Sequence, residues 1–423
     1  MVAGPLTGLR VLEVASFITG PLTAQLLGDL GAEVVKVEPP VGDGMRRWDP
    51  NRGSGDTVAA GTGENADDSI GSAGYGSGFQ AYNRNKRSIV LDLRNPGASD
   101  VIRRMLPSVD VIVENMRPGV AERLGVGYEQ ARSVNPAIIY CSVTGLGREG
   151  PFAQRAMYDT TAQALSGALS LMVAAHDPRP VGVTLCDSVG GMYAAYGVLS
   201  ALFARERTGQ GQRVDVSMVG ASIAFLAEAV TRHFTTGSTP DATGRCAVSQ
   251  AYVFECADHR QLAIHLSTPD KFWTALTEAI GRKDLRDEDR FATGADRVRN
   301  YAELYDELRT TFATRRLSEW LAVLDGADVP HEPVLNVDEA LQHEKVRPLR
   351  LVRSVEHPMY GPVRTVAPGV ALSKTPLSVT LAPPALGEHT REVLDQCGFS
   401  DSEIDALVDQ EVVSLGAVGD GTG

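Results

Sequence analysis

LRVLEVASFITGPLTAQLLGDLGAEVVKVE, residues 9–38, decides the fold of this 423-residue chain. LRVLEVA (9–15) is an apolar run rich in β-formers and reads as a buried strand. After Ser16 to Gly20 comes PLTAQLLGDLG, a helix with Pro21 in its first turn and Gly31 past its end. AEVVKVE (32–38) is a second strand that ends in an acid, Glu38. Strand, glycine turn, helix and strand make a βαβ unit of the nucleotide-binding kind. The G-x-G-x-x-G fingerprint is missing, because Gly20 alone lies in the turn, so a standard NAD site is not expected.

The same alternation continues downstream. SIVLDL (88–93), DVIVENM (110–116) and PAIIYCSV (136–143) are three more strands, with AERLGVGYEQARSV (121–134) as helix between the last two. The spacing predicts a doubly wound α/β domain with a parallel sheet, and the loops RPGV (117–120) and GLGREGP (145–151) follow carboxyl ends of strands. A helical segment at 157–172 and a long helix over 188–207, apolar nearly all round and therefore expected to be buried, come next. RVDVSM (213–218) is a short strand or linker. The segments 1–218 and 331–423 flank a linker (219–244) and a smaller α+β unit over 245–330, where AYVFECADHRQLAIHL reads as a hairpin. The tail holds short β segments (352–382) and two capped amphipathic helices, GEHTREVLDQCG and SDSEIDALVDQ. Residues 53–78 carry eight glycines and read as a mobile loop or insertion, and GAVGDGTG at the end is expected to fray.

Composition bounds the function. Hydrophobic residues make up 43% and charged residues 22%, ordinary for a soluble globular protein, and the length favours two domains. A net charge of −13 argues against nucleic-acid or membrane-surface partners, though not against a small basic pocket. Cys141, Cys186, Cys246, Cys256 and Cys397 are scattered without a CxxC, which suits a reducing cytoplasm and gives no metal signature. No basic-then-apolar leader and no run of about 18 apolar residues is present, so neither a signal peptide nor a membrane span is expected.

The familiar catalytic motifs are missing: G-x-S-x-G, the P-loop, H-E-x-x-H and the kinase set. His331 and His357 stand beside prolines in turns and read as structural. A basic cluster, Arg84, Lys86, Arg87 and Arg94, stands out in an acidic chain; it is either a solvated face or a phosphate-binding edge. Asp187 is the single charge in TLCDSVGGMYAAYGVL (184–199). It fits an N-cap of the following helix. It also fits a nucleophile, kept ionised by the helix N-terminus, with Gly190 and Gly191 leaving room for a ligand.

LLGDLGAEVVKVEPP, NRNKRSIVLDL, VDVIVENMRPGV, YDTTAQALSG, CDSVGGMYAAYGVLSAL, ERTGQGQRVDVSM and SKTPLSVTLAPPALGEHT together resemble the family III CoA-transferases, the CaiB/BaiF group. That group includes formyl-CoA and carnitine CoA-transferases. The resemblance runs nearly the whole length, and in combination the motifs are specific. It implies that Asp187 attacks an acyl-CoA thioester, that an aspartyl anhydride and an aspartyl-CoA thioester follow, and that an acceptor acid takes over the CoA. Backbone N–H groups near Gly190 and Gly191, or from a loop of the small domain, are candidate oxyanion donors. The implied CoA contacts are Ile18, Thr19, Leu91 to Arg94 including Leu93, Asn115, Met116, Arg117, Arg123, Tyr158 and Asp159, with Arg84 beside them in the basic cluster. Coenzyme A is then a substrate, and no resident cofactor or metal is expected. The implied architecture is an interlocked homodimer whose large domains use both ends of the chain.

Departures sharpen the reading. Pro39 replaces an arginine common after the second strand, which takes away one phosphate contact. Ile18 replaces the glutamine of formyl-CoA transferases, which argues against oxalate and for a less polar acceptor. The glycine-rich lid of that enzyme is not evident around 237–250. The family's racemase branch carries a histidine where Tyr158 stands and a glutamate near Thr268; lacking both, the chain is poorly equipped for abstracting a proton from carbon. A racemase-type isomerase and a non-catalytic acyl-CoA-binding protein are the alternatives.

Overall fold

A computed structural model of the chain describes residues 4–48, 74–173, 179–180, 182–267 and 270–416. Most of the glycine-rich segment 53–78, Thr268 and residues 417–423 lie outside them. The chain forms two compact units, one of residues 1–166, 182–226 and 349–423, the other of residues 167–181 and 227–348.

The first unit is built on β1 (Arg10–Val14), β2 (Glu33–Glu38), β3 (Lys86–Leu91), β4 (Val111–Glu114), β5 (Ile139–Thr144) and β6 (Arg213–Ser217). They lie side by side as β3-β2-β1-β4-β5-β6, every pair parallel. Val413–Ser414 adds an antiparallel edge on β3, so the end of the chain joins the sheet laid down by its beginning. Central strands covered on both faces carry mostly apolar residues, which is why they read as near-continuous runs. Leu12, Val35, Ile89, Ile112 and Tyr140 fill one face with Val393, Leu394 and Ile404. Val11, Val34, Val113, Ile139 and Cys141 fill the other.

Four helices position the site: α1 (Thr19–Asp29), α2 (Asp159–Ser166), α3 (Leu185–Thr208) and α4 (Met218–Phe225). α3 departs from the expected all-round burial. Its small residues Ala194, Ala195, Val198 and Ala201 face the core, while Met192, Tyr193, Tyr196 and Phe203 are exposed. Small and large apolar residues give the same sequence signal, but the buried face is made mostly of small ones, which allow close packing, with Leu202 the large exception. Gly190 and Gly191 serve the same end. A Cβ on Gly191 would lie 3.0 Å from the Thr19 carbonyl oxygen and 3.0 Å from Leu22 Cδ2, so these glycines admit α1 rather than a ligand.

A layer of charge is buried under the carboxyl end of β1. Lys36 pairs with Glu13 (2.7 Å) and Asp43 (2.9 Å), Lys86 with the other Glu13 oxygen (2.7 Å), and Arg46 forks onto Glu38 (2.6 and 2.7 Å). Three acids and three bases balance, as burial requires. Lys86 is held down to about 8, first by its burial and then by the neighbouring Lys36 cation, with Glu13 opposing.

The second unit carries an antiparallel sheet of β7 (Ala251–Glu255), β8 (Gln261–His265) and β9 (His331–Pro333). Helices Asp270–Ala279, Tyr301–Phe312 and Leu317–Asp325 supply its core, where Phe254 stacks on Phe312 at 4.7 Å and Trp320 is buried. The expected limits 245–330 need correcting at both ends. The helices from Ala227 belong to this unit, and β9 pairs with β8 through Leu262 and Ile264, which keeps residues 331–348 here instead of in a returning linker. Among the described residues no helix is long and apolar enough to cross a membrane.

Candidate active site

The strand order of the large sheet reverses between β1 and β4, and doubly wound sheets bind ligands in the crevice outside the carboxyl ends at that point. The two loops there are tied together. Asn115, just past β4, accepts the Ser16 N–H on Oδ1 (3.0 Å) and donates its amide to the Ser16 carbonyl (2.8 Å). Ser16 leads through Phe17 and Ile18 into α1, whose first residue is Thr19. A Cβ on Gly20 would lie 2.4 Å from Ala15 Cβ, so only glycine lets the helix start this close to the strand.

Thr19 Oγ1 donates to Asp187 Oδ1 at 2.5 Å. Asp187 is the third residue of α3, and the N-cap position belongs to Thr184, which makes no side-chain cap. The capping alternative for Asp187 therefore fails; its carboxylate faces Thr19 instead of its own helix end. The Asp187 N–H, one of the free donors of the first turn, goes to Asp159 Oδ1 at 3.1 Å. Asp159 opens α2 and is held in turn on Oδ2 by the Gln163 amide, which also reaches the Val183 carbonyl (3.1 Å). Two acids from two helix starts are thus set side by side.

Their surroundings shift the nucleophile candidate. Burial pushes the Asp187 carboxyl above the usual carboxylate range; the Thr19 hydroxyl opposes this, and the Asp159 charge adds to it. The expectation that the helix end keeps Asp187 readily ionised therefore needs correcting: desolvation outweighs the one hydroxyl it is given. Cys186 next to it is buried in the core, and burial raises its thiol, so it packs rather than reacts.

One wall is aromatic. Phe17 and Tyr158 meet edge to face at 6.5 Å, both partly exposed. Phe17 holds a left-handed φ of 66°, rare for a bulky residue, and its N–H donates to Asp43 Oδ1 (3.2 Å). Phe17, Asp43 and Gln163 escaped the sequence reading. Asp43 sits in PPVGDGMRR and reads there as an ordinary turn acid, and Gln163 in YDTTAQ as a helix-surface residue.

The remaining site residues divide. Thr19, Asn115, Tyr158, Asp159 and Asp187 come together. Ile18 is half-buried at the start of α1, and Gly190 and Gly191 lie past the first turn of α3, where helix bonds engage their N–H groups, so they are not oxyanion donors. Met116 is anchored by its N–H to Glu114 Oε2 (2.7 Å), a carboxyl raised to about 7 by its burial. Arg117 and Arg123 are exposed, with no acidic partner among the described residues.

The cluster at 84–94 is not a common phosphate edge. Arg84 is buried and forks onto Asp29 at 2.6 and 3.0 Å; Lys86 is sealed on Glu13. Arg87 pairs with Glu33 and Glu392, Leu91 is core, Leu93 packs against the core, and Arg94 is exposed but folded onto Asp92. Among the described residues no group of three or more His, Cys, Asp or Glu is placed to hold a metal ion.

The pattern of CoA-transferase family III matches residues 6–390. The chain belongs to that family. As a family III CoA-transferase it is similar, at 31% identity over 97% of its length and 98% of the relative's, to succinyl-CoA–D-citramalate CoA-transferase of Chloroflexus aurantiacus. It is 36% identical to acetyl-CoA:oxalate CoA-transferase of Acetobacter aceti over 80% of this chain and 82% of that one. Among solved structures, a CaiB/BaiF family protein from Brucella suis matches with a TM-score of 0.79 and 29% identity, over 94% of this chain and all of the other. The chain is accordingly an enzyme of the CoA-transferase class.

Proposed function

We propose that this enzyme moves CoA from an acyl-CoA thioester to a free carboxylic acid through covalent intermediates on Asp187. The observation that carries the reading is the state of that carboxylate: half-buried, undersupplied with donors, and next to a second acid. Thr19 engages Oδ1, which leaves Oδ2 for attack.

Oδ2 attacks the thioester carbonyl carbon, the C–S bond breaks, and CoA thiolate leaves with a mixed aspartyl anhydride behind it. The thiolate then attacks the aspartyl carbonyl and expels the donor acid as its carboxylate. The acceptor carboxylate attacks the aspartyl thioester, releasing thiolate once more. Thiolate takes the acceptor's acyl carbon from the new anhydride and restores Asp187. No water enters, so the thioester's energy stays in a bond throughout. A raised carboxyl pKa fits this role, since a more basic carboxylate is a better nucleophile and the cost of its desolvation falls as charge leaves it.

Arg117 and Arg123, exposed and unpaired among the described residues beside the loop after β4, are the cations we assign to CoA phosphates. Ile18, Phe17 and Tyr158 line the approach with apolar and aromatic surface, which supports an acceptor less polar than oxalate. The exposed Met192, Tyr193, Tyr196 and Phe203 on α3 support a homodimer, because so large an apolar flank calls for a partner. Five unpaired cysteines support a cytoplasmic setting. The test is a screen of purified enzyme with acyl-CoA donors against carboxylic acids. CoA exchange that disappears in Asp187→Asn supports the reading; exchange of the donor's α-proton without CoA transfer replaces it with the racemase alternative.

A further inference from the structure

Three consecutive residues after β1 have their backbone pinned by three different side chains, two of them buried and that of Asn115 half-buried. Lys36 Nζ donates to the Ala15 carbonyl (3.0 Å), Asn115 takes both polar groups of Ser16, and Asp43 Oδ1 accepts the Phe17 N–H (3.2 Å). Asp43 is itself fixed. Its Oδ2 pairs with Lys36 at 2.9 Å, and its own N–H donates to Glu38 Oε2 at 3.0 Å. Asp43 and Lys36 are 3% and 0% exposed. The ring of Phe17 lies over Gly44, where a Cβ would come within 3.1 Å of it, so residues 43 and 44 form both clamp and floor for residue 17.

Strained backbone persists only where its surroundings over-determine it, and such positions gather at functional sites. Here the strained residue is two positions before Thr19, whose hydroxyl meets Asp187. We propose that Asp43, held by Lys36, is a positioning residue for the transfer reaction. By clamping Phe17 in the left-handed conformation it sets where Thr19 presents its hydroxyl to Asp187 and where the Phe17 ring stands. Asp43 touches neither Asp187 nor the reacting atoms. The proposal rests on the reading of Asp187 as nucleophile.

The readout is the acid limb of the kcat profile. The Thr19 hydrogen bond lowers the Asp187 pKa, so losing it moves that limb to higher pH, whereas mere loss of folded enzyme lowers the amplitude and leaves the limb in place. Asp43→Ala is expected to reduce kcat about tenfold or more with KM for acyl-CoA nearly unchanged, and to move the limb upward. Asp43→Asn keeps an oxygen for the Phe17 N–H but leaves the Lys36 ammonium to Glu13 alone, so it is expected to lower the melting temperature while holding the limb near its wild-type pH. If Asp43→Ala does not fold, Phe17→Pro and Phe17→Gly decide. Proline lacks the N–H and cannot take a positive φ, while glycine keeps both and lacks only the ring. Proline is expected to move the limb as Asp43→Ala does, and glycine to leave it in place. An unmoved limb in folded Asp43→Ala, or equal limbs in the proline and glycine variants, overturns the proposal. Absence of any Asp187 adduct in the wild type overturns the nucleophile reading instead, so the two failures are distinct.

Discussion

Asp159 and Asp187 occupy the first turns of α2 and α3, and the contrast between them carries most of what can be said about function. Asp159 is well supplied: a backbone N–H on one oxygen and the Gln163 amide on the other. Asp187 receives one hydroxyl, and burial with the Asp159 charge holds its carboxyl above the ordinary range. A carboxylate whose charge is fully met by donors has little to gain from bond formation. One left short of donors in a desolvated place gains a great deal.

The largest expected effect is at Asp187. Asp187→Asn is expected to lower kcat by about 10³-fold or more in a steady-state transfer assay, since the covalent route is closed. The same substitution is expected to stabilise the fold. A carboxyl with a raised folded pKa contributes its stability at low pH and loses it as pH rises through that value. Replacing it should therefore raise the melting temperature at pH 7 and give no advantage at pH 4. Equal melting temperatures at both pH values would remove the claim of a costly carboxylate.

Next is Asp159→Ala, which frees the Asp187 N–H and removes the neighbouring charge. A fall in kcat of about 100-fold is expected from misplacement, together with an acid limb shifted to lower pH, because the charge that helps raise Asp187 is gone. Thr19→Val keeps the shape and deletes the donor; about a tenfold loss is expected, with the limb shifted the opposite way. Opposite shifts from the two variants would establish that both groups tune one carboxylate. Shifts of the same sign would break the comparison.

The smallest effects on chemistry come from the arginines. Arg117→Met and Arg123→Met should raise KM for acyl-CoA several-fold, increasingly so at low salt, and leave the melting temperature alone. Arg84→Met should leave KM unchanged and cost about 3–5 kcal/mol of stability in a denaturant titration, because Asp29 is then buried unpaired.

The arginines also show what was legible in the sequence. The βαβ start, the parallel sheet and the hairpin of the second unit were all readable, since buried strands and turns leave periodic signals. Asp187 stood out as the single charge in an apolar stretch, and the surrounding motifs pointed to its family. What sequence does not encode locally is who meets whom across the fold. Arg84 and Arg117 look alike on the page, yet one is locked on Asp29 and the other faces solvent without a partner among the described residues. Gly190 and Gly191 suggest space but are filled by α1. Asp43 and Phe17 look like loop residues, and their pairing is set only when β1 and β2 come side by side.

Trapping the enzyme during turnover tests the central claim most directly. Purified enzyme mixed with acyl-CoA and quenched with hydroxylamine should give, by peptide mass spectrometry, an aspartyl hydroxamate at Asp187, dependent on acyl-CoA and missing in Asp187→Asn. An enzyme that transfers CoA with residue 187 unmodified, or that carries the label on another residue, contradicts the account.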